Sequence, residues 1–238
     1  MNNVPVNDLL AEGLSSLCRN DPVVENLVSP RREEIIALLA AYIGEIMTHN
    51  PALSLVGTND PKELVIRHVF DSLAPLGIIS RKCAAIDGTA IYGTASRIAD
   101  VGSGAGLPGI PLAIALPDSD FTLIERKGRR AGFLRDTLAA LAAKNHNIFS
   151  KISVEEQEME KVPPRRFTLV TFRALKPLEP KLLKKLFRLC AEGGVLAAYK
   201  GRRNKAEAEM AELERQMPTQ TRRWELIPCP VPMLDEER

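Results

Sequence analysis

One ten-residue stretch constrains this chain more than any other: Asp100-Val-Gly-Ser-Gly-Ala-Gly-Leu-Pro-Gly109, set between a short apolar run, Ile98–Val101, and a helix-forming segment that ends near Pro117. Closely spaced glycines let a backbone turn sharply and approach a ligand that any Cβ would exclude. A helix opening near Pro108 adds free amides and the positive end of a dipole. Phe121–Glu125 reads as the next strand. A carboxylate at its end, about 20 residues past the loop centre, is placed to accept from both ribose hydroxyls of an adenosine.

The loop alone leaves two cofactors open. Gly104-Ala-Gly106-Leu-Pro-Gly109 satisfies the dinucleotide GxGxxG pattern, a weak match by itself. Asp100, directly before the first glycine, favours S-adenosylmethionine: it would sit under that molecule's amino acid end, whereas a pyrophosphate there would be repelled. Asp100 could equally order the loop amides, and the two roles coexist. Glu125 has a plainer reading too, as a solvent-facing acid at a strand end.

Around this motif strands and helices alternate. Further strands are expected at Asn147–Ile152, Phe167–Phe172, Val195–Lys200 and Trp224–Ile227, with helices at about 129–144, 178–190 and 204–216. That alternation specifies an α/β, Rossmann-like fold with a doubly wound, mostly parallel sheet over 97–238. Residues 1–96 form an N-terminal helical extension and linker, the whole making one compact unit. Within it Ile35, Leu38, Leu39, Tyr42, Ile43 and Ile46 recur at helical spacing. Asp60-Pro61-Lys62-Glu63 carries a capping pattern for a helix running to about Leu73, and 77–96 reads as loop.

Charge is uneven. Residues 1–125 hold 8 Lys/Arg against 15 Asp/Glu, 126–205 hold 20 against 7, and 206–238 hold 4 against 8. A basic block between acidic ones points to a localised polyanion surface, the plainer alternative being a solvated helix face. Arg126, Lys127, Arg129, Arg130 and Arg135, with Arg165, Arg166, Lys176, Lys184, Lys185, Lys200, Arg202 and Arg203, could track phosphates. Aromatic residues are only 5%, so bases stacked on a sheet are not expected. Cys18, Cys83, Cys190 and Cys229 form no CxxC pair and His49, His68 and His146 no close-spaced set, so no metal is expected. With no long apolar run and no basic-then-apolar start, neither a membrane span nor a signal peptide is read, and a cytoplasmic monomer is expected.

Several segments together are similar to the bacterial 16S rRNA guanine-N7 methyltransferase family, RsmG (glucose-inhibited division protein B). Leu55-Val-Gly-Thr-Asn-Asp-Pro-Lys-Glu-Leu-Val-Ile-Arg67-His68-Val-Phe-Asp71-Ser72-Leu73 resembles its N-terminal signature. Asp100 to Ile114 resembles its cofactor loop, Pro111 included. Phe133-Leu134, Arg173-Ala174 and Tyr199-Lys200-Gly201 fall where that family has its KRxxFL, SRA and LKG segments, and the likeness covers roughly 30–236. The resemblance implies S-adenosylmethionine as methyl donor and 16S rRNA in the 30S subunit or its precursor as substrate. It implies that Gly102 and Leu107 line the donor site, that Val154 and Glu155 contact adenine, and that Arg173 faces the donor and substrate cleft, orienting one of them. Glu125 stands where the family usually has Asp, and Val154 where Ala is common. The family also carries an apolar strand after the segment matching Leu234–Arg238, where this sequence ends, which bears on the sheet edge.

Arg67 and Asp71 are expected one helical turn apart with His68 beside Asp71, either holding RNA at the cleft or forming an ion pair that pins the extension to the sheet. Two other functions use the same loop: a nicotinamide-dependent oxidoreductase, and an RNA-binding protein without catalysis.

Overall fold

A computed structural model describes residues 4–87, 96–173, 177–217 and 224–235. Of the positions singled out above, Ala174, Lys176, 88–95 and 236–238 lie outside the described residues.

The chain opens with helices α1 (Val6–Asn20), α2 (Pro22–Val28), α3 (Arg32–Leu53), α4 (Pro61–Leu64), α5 (Asp71–Leu73) and α6 (Leu76–Asp87). Then come β1 (Arg97–Val101), α7 (Gly109–Ala115), β2 (Asp120–Ile124), α8 (Gly128–Ala142), α9 (His146–Phe149), β3 (Ile152–Glu155), β4 (Phe167–Arg173), α10 (Pro180–Leu189), β5 (Cys190–Tyr199) and α11 (Arg203–Gln216). The five strands pair in the order β3-β2-β1-β4-β5, every pair parallel. This is the doubly wound sheet that the alternating pattern specifies.

Successive strand residues face opposite sides of a sheet, and here they feed two cores. Ile98, Phe121, Leu123 and Leu169 face the helices of the extension together with α7 and α8. Ala99, Val101, Ile124, Val170 and Phe172 face Leu186 and Leu189 of α10 and Leu213 of α11. The six apolar positions read at helical spacing in 35–46 are all buried in the first core, so α3 packs on α7 and α8 as part of the same hydrophobic body. Asp100 follows Ile98 by two residues and therefore points to that same side.

Three expectations are overturned. Residues 76–87 are helical rather than loop: Leu76, Ile79, Cys83 and Ala84 are buried at helical spacing. Gly77, which reads as a loop residue, instead leaves room for Asp21, since a Cβ there would meet Asp21 Oδ2 at 2.0 Å. Asp21 caps α2 and pairs with Arg81 at 2.8 Å. The strand expected from Asn147 begins only at Ile152, because the Asn145 side chain accepts from the Ile148 amide (3.2 Å) and caps the helical turn α9. Trp224–Ile227 forms no strand: the Trp224 indole donates to Glu214 of α11 at 2.6 Å and the residue stays partly exposed, at 43%.

Asp60 caps α4 through the Lys62 amide at 3.2 Å, as its sequence pattern specifies. The helix then widens into a π-helical turn over Val65–Phe70, a feature frequent at functional sites and invisible to a 3.6-residue count.

Candidate active site

The strand order reverses between β1 and β4, one branch of the chain running outward to β3 and the other to β5. Ligands in such sheets bind beyond the strand C-termini at that switch point. The glycine loop leaves β1 there, and Arg173 ends β4 beside Tyr199, which ends β5.

Asp100 is fully buried. Its Oδ2 accepts from the Gly109 amide at 3.1 Å, and Oδ1 has no hydrogen-bond partner. Burial pushes its carboxyl up to about 7, partly offset by the Gly109 amide. The first amide of α7 is thus taken by Asp100 rather than left for a ligand, a correction to the sequence expectation. Gly109 is required by this approach: a Cβ would sit 2.8 Å from Asp100 Oδ2 and 2.5 Å from Leu123 Cδ2. Gly104, with φ +56°, needs glycine for its backbone conformation, since the nearest atoms to a Cβ there are 3.7 Å away.

Glu125, just past β2, is buried, which rules out the solvent-facing reading. Its two oxygens accept from the Gly104 amide (3.0 Å) and the Lys127 amide (2.9 Å), so it fastens the loop to the next strand. Each oxygen keeps a second lone pair for a ligand hydroxyl. Gly106 and Leu107 are buried in the loop, and Gly102 is its exposed residue. Val154 and Glu155 end β3; Glu155 pairs with Arg166 and accepts from Gln157 at 2.7 Å.

Arg173 is held from three directions. Its guanidinium contacts Asp71 Oδ2 at 3.0 Å, His68 Nδ1 at 3.0 Å and the Arg67 carbonyl at 3.4 Å. A guanidinium only donates, so His68 accepts at Nδ1 and carries its proton on Nε2. Asp71 therefore pairs across to β4, not with Arg67. The intervening π turn displaces the four-residue spacing, and the Arg67 side chain lies 3.8 Å from Glu63 instead. Tyr199 Oη donates to the Ser72 carbonyl at 2.8 Å, a second tie between the extension and the sheet.

With this geometry in place, comparison with known proteins is decisive. A model of the rRNA small subunit methyltransferase G family (GidB) matches residues 35–229. The chain belongs to that family. It is 33% identical over 236 residues to ribosomal RNA small subunit methyltransferase G of Treponema pallidum (strain Nichols), covering 97% of this chain and 90% of that protein. The same-named proteins of Shewanella frigidimarina and Xylella fastidiosa (strain M23) are 33% identical over 200 residues and 36% over 167. These cover 84% and 70% of this chain, and 84% and 69% of those proteins. Family membership carries a reaction class: S-adenosylmethionine-dependent methylation of rRNA.

The basic residues of the chain divide into committed and outward-facing groups. Arg129 and Arg130 donate to the carbonyls of Ala52 (3.0 Å) and Ser54 (3.2 Å), tying α8 to the end of α3. Lys200 pairs with Glu209 at 2.7 Å and Arg135 with Glu156 at 2.8 Å. Arg126, Lys127 and Arg202 are exposed. Sequence reasoning groups all of these by charge; their partners come from elements distant in sequence. It also places Tyr42 only in the core stripe, although its hydroxyl donates to Ala105 of the glycine loop at 2.8 Å. Among the described residues no cluster of His, Cys, Asp and Glu suited to a metal is found, and no helix is long and apolar enough to cross a membrane.

Proposed function

We propose that this chain methylates N7 of a guanine in 16S rRNA within the 30S subunit or its precursor, acting as a cytoplasmic monomer. The extension 1–96 and the Rossmann-like part 97–238 serve as one catalytic unit. The observation that carries the donor half is Asp100, a fully buried carboxylate with one oxygen unpartnered beside the glycine loop. Such a group suits a cationic amino acid end and disfavours a pyrophosphate, so it supports S-adenosylmethionine over a dinucleotide. Gly102, Gly104, Gly106 and Leu107 would shape the site, Glu125 would take the ribose, and Val154 and Glu155 would lie at the adenine. When bound, S-adenosylmethionine supplies an electrophilic methyl group.

Guanine N7 carries an in-plane lone pair and no proton, so no protein base is needed to create the nucleophile. What remains for the protein is alignment and exclusion of water. The Arg173–Asp71–His68 cluster suits alignment because its members hold one another, giving a guanidinium fixed in direction for a guanine or a carboxylate.

The test is incubation with tritiated S-adenosylmethionine and undermodified 30S particles, with the labelled base mapped. Label on a guanine N7 of 16S rRNA supports the proposal; donor binding without transfer favours a non-catalytic RNA-binding protein. Calorimetric binding of NADH in place of S-adenosylmethionine would favour the oxidoreductase.

For the RNA face, Arg126, Lys127 and Arg202 are the phosphate-binding side chains we favour among the basic residues, Arg67 lying nearer the cleft. Association with 30S particles should weaken steeply as salt rises. Arg126→Glu with Arg202→Glu should flatten the log K against log[salt] slope by about 0.7–0.9 for each phosphate no longer neutralised, leaving donor affinity within about twofold. An unchanged slope would make these residues a solvated face only.

A further inference from the structure

The backbone of the glycine loop can be accounted for amide by amide. Gly102 and Ser103 donate to the Ile124 carbonyl (2.8 and 3.2 Å), Gly104 to Glu125, Gly106 and Leu107 to Ser103 (2.7 and 3.2 Å), Gly109 to Asp100 and Ile110 to Gly106 (2.7 Å). Among the described residues, Ala105 is the one position from Gly102 to Ile110, Pro108 aside, whose N–H has no protein acceptor. The carbonyl of Gly104, the other half of the same peptide unit, likewise has no protein donor there. This unengaged peptide lies between two fixed ones. On one side the Gly104 amide is held by Glu125; on the other the Ala105 carbonyl is held by Tyr42 Oη at 2.8 Å.

Tyr42 comes from α3, in the middle of the helical extension, and is fully buried. Its neighbours Leu38, Leu39 and Ile46 are buried in the same core, which fixes the ring and hence the direction of the hydroxyl. Burial also holds the phenol well above its usual range, so it stays a donor at any pH the protein meets. We infer that Tyr42 is a positioning residue for the methyl donor: by fixing the Ala105 carbonyl it orients the free Gly104–Ala105 peptide toward the donor's amino acid end. The inference rests on the methyl-donor reading above. A peptide unit offers N–H and C=O on opposite edges, matching a carboxylate and an ammonium, and a peptide pinned on both flanks has lost its rotational freedom before the ligand arrives.

Tyr42→Phe removes only the hydroxyl and keeps the ring. In the full chain, calorimetry with S-adenosylmethionine should show Kd raised about tenfold, the scale of one net hydrogen bond removed from a positioned group. Because the phenol does not titrate, the increase should be the same at pH 6.5 and 8.5. The kcat at saturating donor should stay within about twofold while the donor KM rises with Kd. Ile46→Val, which lightens the same face of α3 one turn on, is the control for general softening: it should lower Tm comparably without changing Kd. A Tyr42→Phe protein that is folded and binds the donor within twofold of wild type overturns the inference, as does an equal loss of affinity in Ile46→Val. Wild-type protein that fails to bind S-adenosylmethionine at all would instead remove the methyl-donor reading, a separate outcome.

Discussion

Asp100→Asn should bind S-adenosylmethionine about 100-fold or more weakly than wild type and yet melt at a higher temperature at pH 8. Both effects have one cause. The carboxylate is buried, accepts one hydrogen bond and leaves Oδ1 unpartnered, so its charge is costly until a cation arrives. Its folded-state pKa of about 7 lies above the ordinary 3.8. The folded protein therefore holds this proton more tightly than the unfolded chain, and stability falls as pH rises from about 4 to about 7, with the full penalty present above 7. Three pKa units correspond to on the order of 4 kcal/mol, less what an unpartnered asparagine amide costs in its place. A net gain of about 2 kcal/mol is roughly 4–8 °C for a chain of this size. The gap between the two proteins should narrow as pH is lowered toward about 4. Donor affinity should show the converse in wild type, climbing up to about tenfold per pH unit and levelling above about 7, whereas Asp100→Asn should be flat below about pH 7.5, where the donor's own amine begins to titrate. Equal melting at pH 8, or affinity within fivefold, would take the buried charge out of the donor site.

The parts of this molecule that local chemistry dictates could be read directly from the sequence. The apolar stripe of α3, the Asp60 cap, the glycine loop and the parallel sheet all follow from spacing and turn residues, and all are present. Glu125 illustrates the limit. Its position at a strand end was legible, but not that its carboxylate would already hold the Gly104 amide, because that bond joins residues 21 apart in sequence. Arg129 and Arg130 are similar: their charge suggests phosphate, while the carbonyls they hold belong to the end of α3, more than 75 positions earlier. Gly77 misleads for the opposite reason. It has a strong local meaning as a loop residue, and it is used for something more specific, a close approach to Asp21.

The same long-range bonds change what the N-terminal extension does. Tyr42, the Ser72 carbonyl and the His68–Asp71 pair each touch a different part of the switch point: the glycine loop, the end of β5 and the end of β4. Three ties to three elements make the extension a frame around the cleft, and the continuous core beneath them resists any one tie moving alone.

The largest effect on the chemical step is expected at Arg173. Single-turnover methyl transfer to 30S particles, at saturating donor, should fall about 10- to 1000-fold in Arg173→Ala, the scale of lost positioning or charge stabilisation. Arg173→Lys should recover only part of this, because a point charge lacks the planar fork that reaches Asp71 and His68 together. Removing the guanidinium also leaves Asp71, largely buried, without the partner shown for it, so some loss of Tm accompanies the variant. The pH profile separates positioning from proton transfer. With N7 as nucleophile the step needs no base, and in wild type it should vary little from about pH 6.5 to 9, between the titrations of free His and Lys. Saturating donor removes the contribution of Asp100, which acts on binding. A rate rising tenfold per pH unit through the window would require a protein base and sink the N7 assignment. An unchanged rate in a folded Arg173→Ala protein would leave the cluster as a structural tie between the extension and β4.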